Sequence, residues 1–312
     1  MFSLIIPYHN RARFLPRTLQ SLLNCSVKPE KTILVDNGST DDSANICRTF
    51  AAEHPELNIL LLEETKKGAC AARNKGLEAV KTEWVYFFDS DDELSPDYFE
   101  HVIHCLKDHS KASLDIVACQ TVRVFPNGVC KPRDVQYSSS VIDQILSGQL
   151  ATQAMFLRTA FLRDIGGWNE ALFRWNDWEL GIRVFLYNPH VAWLKHKAYH
   201  RVYEHSDSIT GDDFSSSASS LLYALRATST LLYQKEYLFA LACRCHILAG
   251  FFLREHNKVD AREVSIVAAH ILKRINSKRA TFFANALTRY VSLGGRGAWY
   301  LALKIAHMLH FS

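Results

Sequence analysis

The sequence lacks several features that would place it in a special class of protein. Its eight cysteines include no Cys-x-x-Cys pair, which argues against a disulfide framework, and we expect reduced, mostly buried thiols in a cytosolic protein. The most apolar segment, Tyr237 to Leu253, carries Arg244 and His246 at its centre and is shorter than the about 20 apolar residues of a membrane span. We expect a buried helix there. We expect no signal peptide, because the apolar start of the chain is broken at Pro7.

Proline is absent after Pro189, and acidic residues become scarce after residue 213. Residues 214–312 hold 13 lysines and arginines against four acidic residues, a balance of +9, whereas residues 1–213 hold 23 against 28, a balance of −5. A chain of 312 residues can form one large domain and a smaller companion. We therefore expect an α/β domain over residues 1–213 and a basic domain of four or five helices over residues 214–312.

Strand and helix patterns alternate through the first 110 residues. The expected strands are Phe2–Pro7, Thr32–Val35, Asn58–Leu62 and Trp84–Phe88, and the expected helices are Arg13–Asn24, Asp42–Glu53 and Ala69–Val80. This order predicts a mostly parallel sheet flanked by helices, which binds ligands beyond the carboxyl ends of its strands. Later strands are expected at Leu114–Cys119, Val122–Phe125, Ala154–Leu157, Val191–Leu194 and Tyr199–Tyr203, with short helices at 138–150 and Trp178–Tyr187.

An aromatic strand runs directly into a cluster of carboxylates. Trp84 to Phe88 is followed by Asp89-Ser90-Asp91-Asp92-Glu93. Carboxylates crowded in this way repel one another and need solvent, protons or a cation. A buried strand that ends in Asp89-Ser90-Asp91 therefore indicates a divalent-metal site. The alternative is a solvated acidic turn that caps the next helix.

Two further constellations follow earlier elements of the sheet. Asp36 ends the second strand and can accept hydrogen bonds from a base or a ribose, although the residues after it, through Asp41, could equally form a turn and a helix cap. Gly68 to Gly76 is rich in small residues and contains Arg73. A helix start of this kind favours anions, and Arg73 could bind a diphosphate. The alternative for Arg73 is an ordinary surface arginine.

Two candidates lie further along the chain. Asp177 stands between Trp175 and Trp178 at the start of a predicted helix, where apolar surroundings suit a general base and an N-cap is equally compatible. Glu179 and Arg183, spaced i, i+4, could simply pair. His205 opens the segment His205–Thr210 after a predicted strand; it is either a structural histidine or a ligand.

Five motifs occur together in a fixed order along the first two thirds of the chain. They are Ile6-Pro7-Tyr8-His9-Asn10, Val35-Asp36-Asn37-Gly38-Ser39-Thr40-Asp41, Gly68 to Gly76 with Ala72-Arg73-Asn74, Phe88-Asp89-Ser90-Asp91-Asp92, and Gly166-Gly167-Trp168 followed by Asn176-Asp177-Trp178-Glu179-Leu180. In this order they resemble family 2 of the nucleotide-sugar glycosyltransferases, which have the GT-A fold. The resemblance covers about residues 1–213.

The resemblance implies a site and a reaction. The nucleotide would be bound by Pro7, Tyr8, Asn10, Asp36, Arg73, Asp89 and Ser90; Mn²⁺ or Mg²⁺ would be held by Asp91, Asp89 and His205; and the donor or acceptor sugar would contact Gly167, Trp168, Trp175 and Trp178. Asp177 matches the base that deprotonates the acceptor hydroxyl in a single inverting displacement. The donor would be a nucleoside-diphosphate sugar, most commonly UDP-linked, and the acceptor a carbohydrate or a lipid-linked glycan, as in polysaccharide or lipopolysaccharide biosynthesis.

The chain departs from the family pattern in two places. The usual Glu-Asp pair is Asn176-Asp177 here, so the base loses an acidic neighbour. The Gln/Arg-x-x-Arg-Trp signature of processive synthases is missing, so we expect one sugar to be added per encounter. The alternatives are a non-catalytic module that binds sugar nucleotides or glycans, and an Asp-x-Asp phosphatase of the haloacid dehalogenase type. The phosphatase is disfavoured because its aspartates would follow the first strand.

Residues 214–312 resemble no family that we can name. They could pack on the transferase domain or on a second subunit. Alternatively they could attach to an anionic membrane surface, as Lys273-Arg274, Lys278-Arg279 and the amphipathic segment Trp299 to Ile305 suggest. We expect no nucleic-acid binding, because aromatic and basic residues are not interleaved. The expected location is the cytoplasm, peripheral to the inner face of the membrane if the attachment holds.

Overall fold

The computed structural model describes residues 1–108, 113–205 and 213–309. The chain divides into two compact units, each made of separate stretches: the first is Met1–Tyr137, Leu150–Phe173 and Tyr187–Ser208, and the second is Ser138–Gln149, Arg174–Leu186 and Ile209–Ser312. Segments 138–149 and 174–186 are thus grouped with the C-terminal helices. The domain boundary expected after residue 213 stays a prediction, since compactness does not show which segments fold independently.

The first unit is built on an eight-stranded mixed sheet. Its strands are β1 (Phe2–Tyr8), β2 (Lys31–Asp36), β3 (Ile59–Glu63), β4 (Trp84–Phe87), β5 (Ile116–Val124), β6 (Cys130–Pro132), β7 (Met155–Arg158) and β8 (Val191–Tyr203). The order is β3-β2-β1-β4-β7-β5-β6, with β8 paired to β5. Strands β1 to β4 run parallel, and β7 is antiparallel to both β4 and β5. The predicted parallel sheet is confirmed.

The burial of the central strands explains their composition. Every residue of β1 and β4 is buried, as expected for parallel strands that helices cover on both faces. These helices are α1 (Leu15–Leu23), α2 (Ser43–Glu53), α3 (Ala69–Glu78), α4 (Tyr98–Asp108) and α6 (Thr159–Asp164), with short 3₁₀ turns at Pro55–Leu57 and Thr152–Ala154. Helix α3 lies so close to β1 that a Cβ on Gly76 would come within 2.6 Å of the Ile5 side chain.

Two pairs of predicted short strands are single long strands. Leu114–Cys119 and Val122–Phe125 form the continuous β5, and Val191–Leu194 and Tyr199–Tyr203 form β8. Gln120 remains in the ladder, where it pairs with Ala198, whereas the register along β8 moves directly from Leu194 to Ala198, so the polar residues 195–197 form an irregularity in that strand. An irregularity in this pairing leaves His200 with a left-handed φ of 53°.

The second unit is helical. Its helices are α5 (Val141–Ser147), α7 (Asn176–Leu186), α8 (Ala218–Leu231), α9 (Lys235–Arg254), α10 (Lys258–Ile275), α11 (Lys278–Ser292) and α12 (Ala298–Met308), with a 3₁₀ turn at Ser215–Ser217. Five of these follow residue 217, as predicted. Helix α9 is central and contacts α5, α10, α11 and α12. Within the described ranges it is the one helix long and apolar enough to cross a membrane, and 72% of its most apolar stretch is buried in the protein, as expected for a core helix.

The cysteines follow the prediction made from their spacing. All eight lie in described ranges and are free thiols; six are buried, Cys105 is partly buried and Cys130 is exposed. The six buried cysteines behave as small apolar core residues.

Candidate functional site

The carboxyl ends of β1, β2 and β4 bring the predicted polar residues to one edge of the sheet. Pro7 and Tyr8 are the register partners of Val35 and Asp36, and β4 ends immediately before the loop Phe88 to Glu93, which we call the acidic loop. In a parallel sheet these positions form the ligand-binding rim. The first unit therefore assembles one site from motifs that are far apart in sequence.

The acidic loop is anchored by the first helix. The Thr18 hydroxyl lies 3.0 Å from the carbonyl oxygen of Ser90 and 2.7 Å from that of Asp92. Arg17 donates to the carbonyl oxygen of Asp91, and the Ser21 hydroxyl accepts the backbone N–H of Leu94 at 2.9 Å. The backbone of the loop is thus held by polar groups of α1.

Asp89 is held by two buried donors. Arg73 donates to Asp89 Oδ1 at 2.7 Å, and Gln153 Nε2 donates to Oδ2 at 2.8 Å. Arg73 is only 4% exposed, and its guanidinium lies 4.4 Å from the centre of the Trp168 ring system. The surface-arginine alternative for Arg73 is therefore wrong. A buried arginine held against a carboxylate is a fixed positive charge at the rim.

Asp91 meets a histidine and an arginine. Its Oδ2 lies 3.1 Å from His205 Nε2 and 3.3 Å from Arg11 Nε. Burial, and secondarily the charge of Asp89, raise the pKa of Asp91, while Arg11 and His205 oppose that shift. The His205 ring also stacks on Phe14 at 4.4 Å. Residues 206–210 of the predicted His205–Thr210 segment lie outside the described residues.

Asp92 is more deeply buried than Asp89 and Asp91. It is 2% exposed, and it accepts the backbone N–H of Tyr203 at 2.9 Å and a hydrogen bond from Gln153. Burial raises its pKa well above the usual range, with the charges of Asp91 and Asp89 as further causes. Gln153 therefore bridges Asp89 and Asp92 through one amide nitrogen. Sequence reasoning missed Gln153, since it belongs to none of the five motifs.

The donor set of this cluster suits the predicted divalent ion. Carboxylate oxygens of Asp89 and Asp91, with the imidazole of His205, are ligands that Mn²⁺ accepts. Asp91, whose pKa is raised by burial and by the charge of Asp89, would gain from a cation nearby. Among the residues that the structure describes, however, no group of three or more acidic, histidine or cysteine side chains is arranged as a metal centre. The metal site stays a prediction.

The predicted nucleotide-binding loops are tied to each other. Asp36 is 8% exposed and accepts the Ser39 N–H at 2.9 Å. Asn10, with a left-handed φ of 50°, accepts the Thr40 N–H at 2.8 Å through Oδ1. Asp41 accepts the N–H groups of Ala12 and Ser43, each at 3.0 Å, as in the capping alternative. The side chains of Asn10 and Asp41 shape the rim, and the role of Asn10 toward a nucleotide stays a prediction.

Asn37 is an organising residue to which the sequence analysis assigned no role. Its Nδ2 donates to the carbonyl oxygens of Glu64 and Lys66 at 2.9 and 2.8 Å, and its Oδ1 accepts the Gly68 N–H at 2.7 Å. It thereby joins the end of β2 to the start of α3, the helix that carries Arg73. The sequence offered one signal for this role: Asn37 directly follows a buried strand and precedes a glycine.

Gly167 and Trp168 pack against Asn74 and Arg73 of α3. Asn74 Oδ1 accepts the Trp168 N–H at 3.0 Å, and Asn74 Nδ2 donates to the Trp168 carbonyl oxygen at 2.9 Å. Trp168 is 2% exposed and packs edge-on against Phe87. In this structure Trp168 is a platform for Arg73, and its contact with a sugar stays a prediction. Gly167 is needed beside it, because its φ is +64° and a Cβ would come within 2.9 Å of Asn74 Oδ1.

The predicted base belongs to the second unit. Asp177 is partly buried in the first turn of α7, and its Oδ1 accepts the Trp178 N–H at 2.8 Å. Trp178 is buried and donates from its indole nitrogen to the Ile145 carbonyl oxygen at 3.0 Å; its contact with a sugar stays a prediction. Trp175 is partly exposed, its ring lies 5.0 Å from that of Trp178 at a tilt of 46°, and the Arg244 guanidinium is 4.5 Å from its ring.

The expected pair within α7 is present. Arg183 donates to both carboxylate oxygens of Glu179, at 2.7 and 2.8 Å. Glu179 is buried, so this bidentate pair fixes it in the helix. The pairing predicted from the i, i+4 spacing is confirmed.

Comparison with known proteins gives one family and one fold. The model of glycosyl transferase family 2 matches residues 3–163. A relative described as a PGL/p-HBAD biosynthesis glycosyltransferase, from Mycobacterium bovis (strain BCG / Pasteur 1173P2), is 28% identical over 188 residues, which are 59% of this chain and 70% of the relative.

Two solved structures show the same architecture. Staphylococcus aureus TarS 1–349 in complex with UDP-GlcNAc aligns with a TM-score of 0.71 at 18% identity, over 98% of this chain and 91% of that one. The mannosyltransferase PcManGT from Pyrobaculum calidifontis, in complex with GDP-Man and Mn²⁺, aligns with a TM-score of 0.59 at 16% identity, over 98% and 86%. These likenesses confirm the predicted GT-A fold.

Proposed function

The chain belongs to glycosyl transferase family 2 and is a glycosyltransferase, and we propose that it moves one sugar from a nucleoside-diphosphate sugar to a hydroxyl of a carbohydrate or lipid-linked acceptor. The observation that carries this proposal is the cluster of Arg73, Asp89, Asp91 and His205 at the carboxyl ends of the strands. It presents a fixed positive charge beside carboxylates, which is the chemistry that a diphosphate and its counter-ion require.

We infer that the donor nucleotide is UDP. Support comes from the TarS structures with UDP-GlcNAc and UDP, which share the fold. Asp36, buried at the end of β2, would accept hydrogen bonds from the base or ribose, and Tyr8 lies beside it in the register. Arg73 would face the diphosphate. Because Asp89 and Trp168 already orient its guanidinium, little rotamer freedom would be lost on binding.

Asp89, Asp91 and His205 would hold Mn²⁺ or Mg²⁺. When bound, such an ion supplies positive charge that stabilises the departing nucleoside diphosphate. The chain's own contribution is the acidic loop, whose backbone is held by Thr18 and whose Asp89 carboxylate is held by Gln153. The structure of PcManGT with Mn²⁺ is a precedent on the same fold.

Asp177 would take the proton of the acceptor hydroxyl as that oxygen attacks the anomeric carbon. A single displacement of this kind inverts the carbon and needs one base and no protein nucleophile. The placement of Asp177 beside the partly exposed Trp175 supports the assignment, since an aromatic ring can flank a sugar. One sugar would be added per encounter, because the processive signature is missing.

The first experiment identifies the donor and tests the residues. Thermal unfolding is measured with UDP, GDP and dTDP, each with and without Mn²⁺, and release of the nucleotide from the matching sugar donor is then followed. We expect Asp177→Asn to bind UDP like the wild type and to lose at least about 100-fold in turnover, the scale of a general base. Asp91→Asn should lose both turnover and the Mn²⁺-dependent thermal shift.

The matched control is Asp164→Asn, the same chemical change at an exposed position of α6. It should leave both measurements unchanged. If Asp177→Asn transfers sugar normally, the base assignment is wrong. If the wild type binds the sugar nucleotide and never turns it over, the chain is a binding module.

A further inference from the structure

The last two helices of the second unit form an apolar groove with a basic rim. We call it the α11–α12 groove. It has a volume of about 530 Å³, and its lining includes Lys278, Arg279, Phe282, Phe283, Ile305 and Met308. The two basic residues open α11, and the two phenylalanines follow after Ala280 and Thr281. The inner face of the same helix, with Ala280, Ala284, Leu287 and Val291, is buried, so the groove uses the face that the core of the unit leaves uncovered.

Large apolar side chains are unusually exposed around this groove. Phe282 is 70% and Met308 76% exposed, and Leu293, at the end of α11, is 78% exposed. Tyr300 and Leu301 of α12 are also exposed. Phe282 and Met308 both line the groove, and exposed apolar side chains that line one groove mark a surface that something else covers.

The charge of this region has one sign. After Glu263 the sequence contains seven lysines and arginines and no aspartate or glutamate. Five of the seven lie in the last two helices and the turn between them, and all five are exposed: Lys278, Arg279, Arg289, Arg296 and Lys304. Within the described ranges, none of these five forms a salt bridge with an acidic side chain. The two basic residues in the lining of the groove, Lys278 and Arg279, thus belong to a stretch of the chain whose lysines and arginines have no acidic residues among them.

We propose that the α11–α12 groove docks on an anionic lipid bilayer. Phe282 and Met308 would enter the boundary between headgroups and acyl chains, and Lys278 and Arg279 would contact lipid phosphates, as in helices that lie in a membrane interface. A second copy of the chain fits the groove less well, because two copies meeting there would bring like charges together. The inference concerns binding alone and holds whether or not the proposed reaction is right.

The test is co-sedimentation of the full chain with vesicles of phosphatidylcholine, with and without phosphatidylglycerol. We expect binding to the anionic vesicles, little binding to the neutral ones, and weakening as salt is raised. Lys278→Ser with Arg279→Ser should lower the partition coefficient for anionic vesicles about 30-fold, the ratio that corresponds to about 1 kcal/mol for each basic residue near the surface. Phe282→Ser should remove the binding that survives high salt.

Each variant has a matched control. Lys258→Ser with Arg262→Ser removes the same charge from exposed positions of α10, and Tyr233→Ser removes an aromatic ring that is 79% exposed in the loop before α9. Neither control should lower binding as much as its partner. Equal recovery with both kinds of vesicle, or undiminished binding of the Lys278/Arg279 variant, would refute the proposal. A dimer in sedimentation velocity that Phe282→Ser dissociates, without vesicle binding, would assign the groove to a second copy instead.

Discussion

Replacing Gly167 by alanine should damage the support beneath Arg73 in a way that replacing Gly166 does not. Both glycines have positive φ, +64° and +89°, so either alanine adopts a strained backbone that costs about 1–2 kcal/mol. At Gly166 a Cβ meets nothing within 4 Å, whereas at Gly167 it would come within 2.9 Å of Asn74 Oδ1. Gly166→Ala is therefore the control for backbone strain.

The extra cost at Gly167 follows from what holds Asn74. That side chain cannot swing away freely, because it makes two hydrogen bonds to the backbone of Trp168 and a third to Glu170. Losing the two bonds to Trp168 costs ~1–3 kcal/mol at ~0.5–1.5 kcal/mol each. We therefore expect a loss in the free energy of unfolding of ~2–5 kcal/mol for Gly167→Ala and ~1–2 kcal/mol for Gly166→Ala.

Urea unfolding measures the loss of stability, and hydrogen exchange of the Trp168 amide measures the loss of its hydrogen bond to Asn74. Exchange should accelerate in Gly167→Ala and stay slow in Gly166→Ala, and the affinity for UDP should fall only in the former, since Trp168 orients Arg73. In an Asn74→Ala background, Gly167→Ala should cost no more than the strain alone. If the two glycine variants behave alike, or if the cost of Gly167→Ala survives removal of Asn74, the reasoning about the clash is refuted.

Two further predictions concern buried groups of the first unit. Gln153→Met should lower the free energy of unfolding by ~2–4 kcal/mol, because it loses hydrogen bonds to the buried Asp92 and to the partly exposed Asp89. Gln20→Met on the exposed face of α1 should change the free energy of unfolding by less than ~0.5 kcal/mol in the same urea series. Equal costs would show that Gln153 does not stabilise the acidic loop. Burial lowers the pKa of His200 from 6.5 to about 3, so the imidazole stays neutral in the native state. The contribution of the neutral imidazole to stability is complete above pH 6.5, and it is lost as the pH falls toward 3. Asparagine tolerates the left-handed φ, so His200→Asn is the variant to measure. Between pH 3 and 6.5 its free energy of unfolding should change with pH less steeply than that of the wild type, by up to ~1.4 kcal/mol per pH unit. Identical slopes would contradict the burial of a neutral imidazole.

The parts of the fold that could be predicted are those whose signals are local. Strands β1 to β4 were predicted to within one or two residues, because each is an apolar run bounded by polar or turn residues. The joining of the predicted strands into β5 and β8 was missed, since Gln120 and Lys195 look like interruptions. Only the pairing between the two strands shows that β5 continues through Gln120 and that β8 continues past an irregularity at residues 195–197. A single sequence carries no signal for a partner across the sheet.

The candidate site likewise contains residues that local sequence predicts and one residue that it does not. Arg73, Asp89 and Asp91 stand in dense motifs, and the structure places them together. Gln153 stands in an ordinary Thr-Gln-Ala turn, and its two carboxylate partners lie more than 60 residues away. The burial of Trp168 and Trp178 could not be predicted, because an indole beside a motif can be exposed or buried with the same local sequence. Burial is a tertiary property, and it depends on residues far away in the sequence.

The attachment of the acidic loop to α1 has a consequence for the speed of ligand capture. Because Arg17, Thr18 and Ser21 hold the loop backbone, no slow ordering step should separate encounter from the final complex. Stopped-flow traces with a fluorescent nucleotide should then rise as one exponential whose observed rate grows linearly with nucleotide concentration, without the plateau that a preceding rearrangement imposes. The loop would behave as a rigid receptor rather than a closing lid.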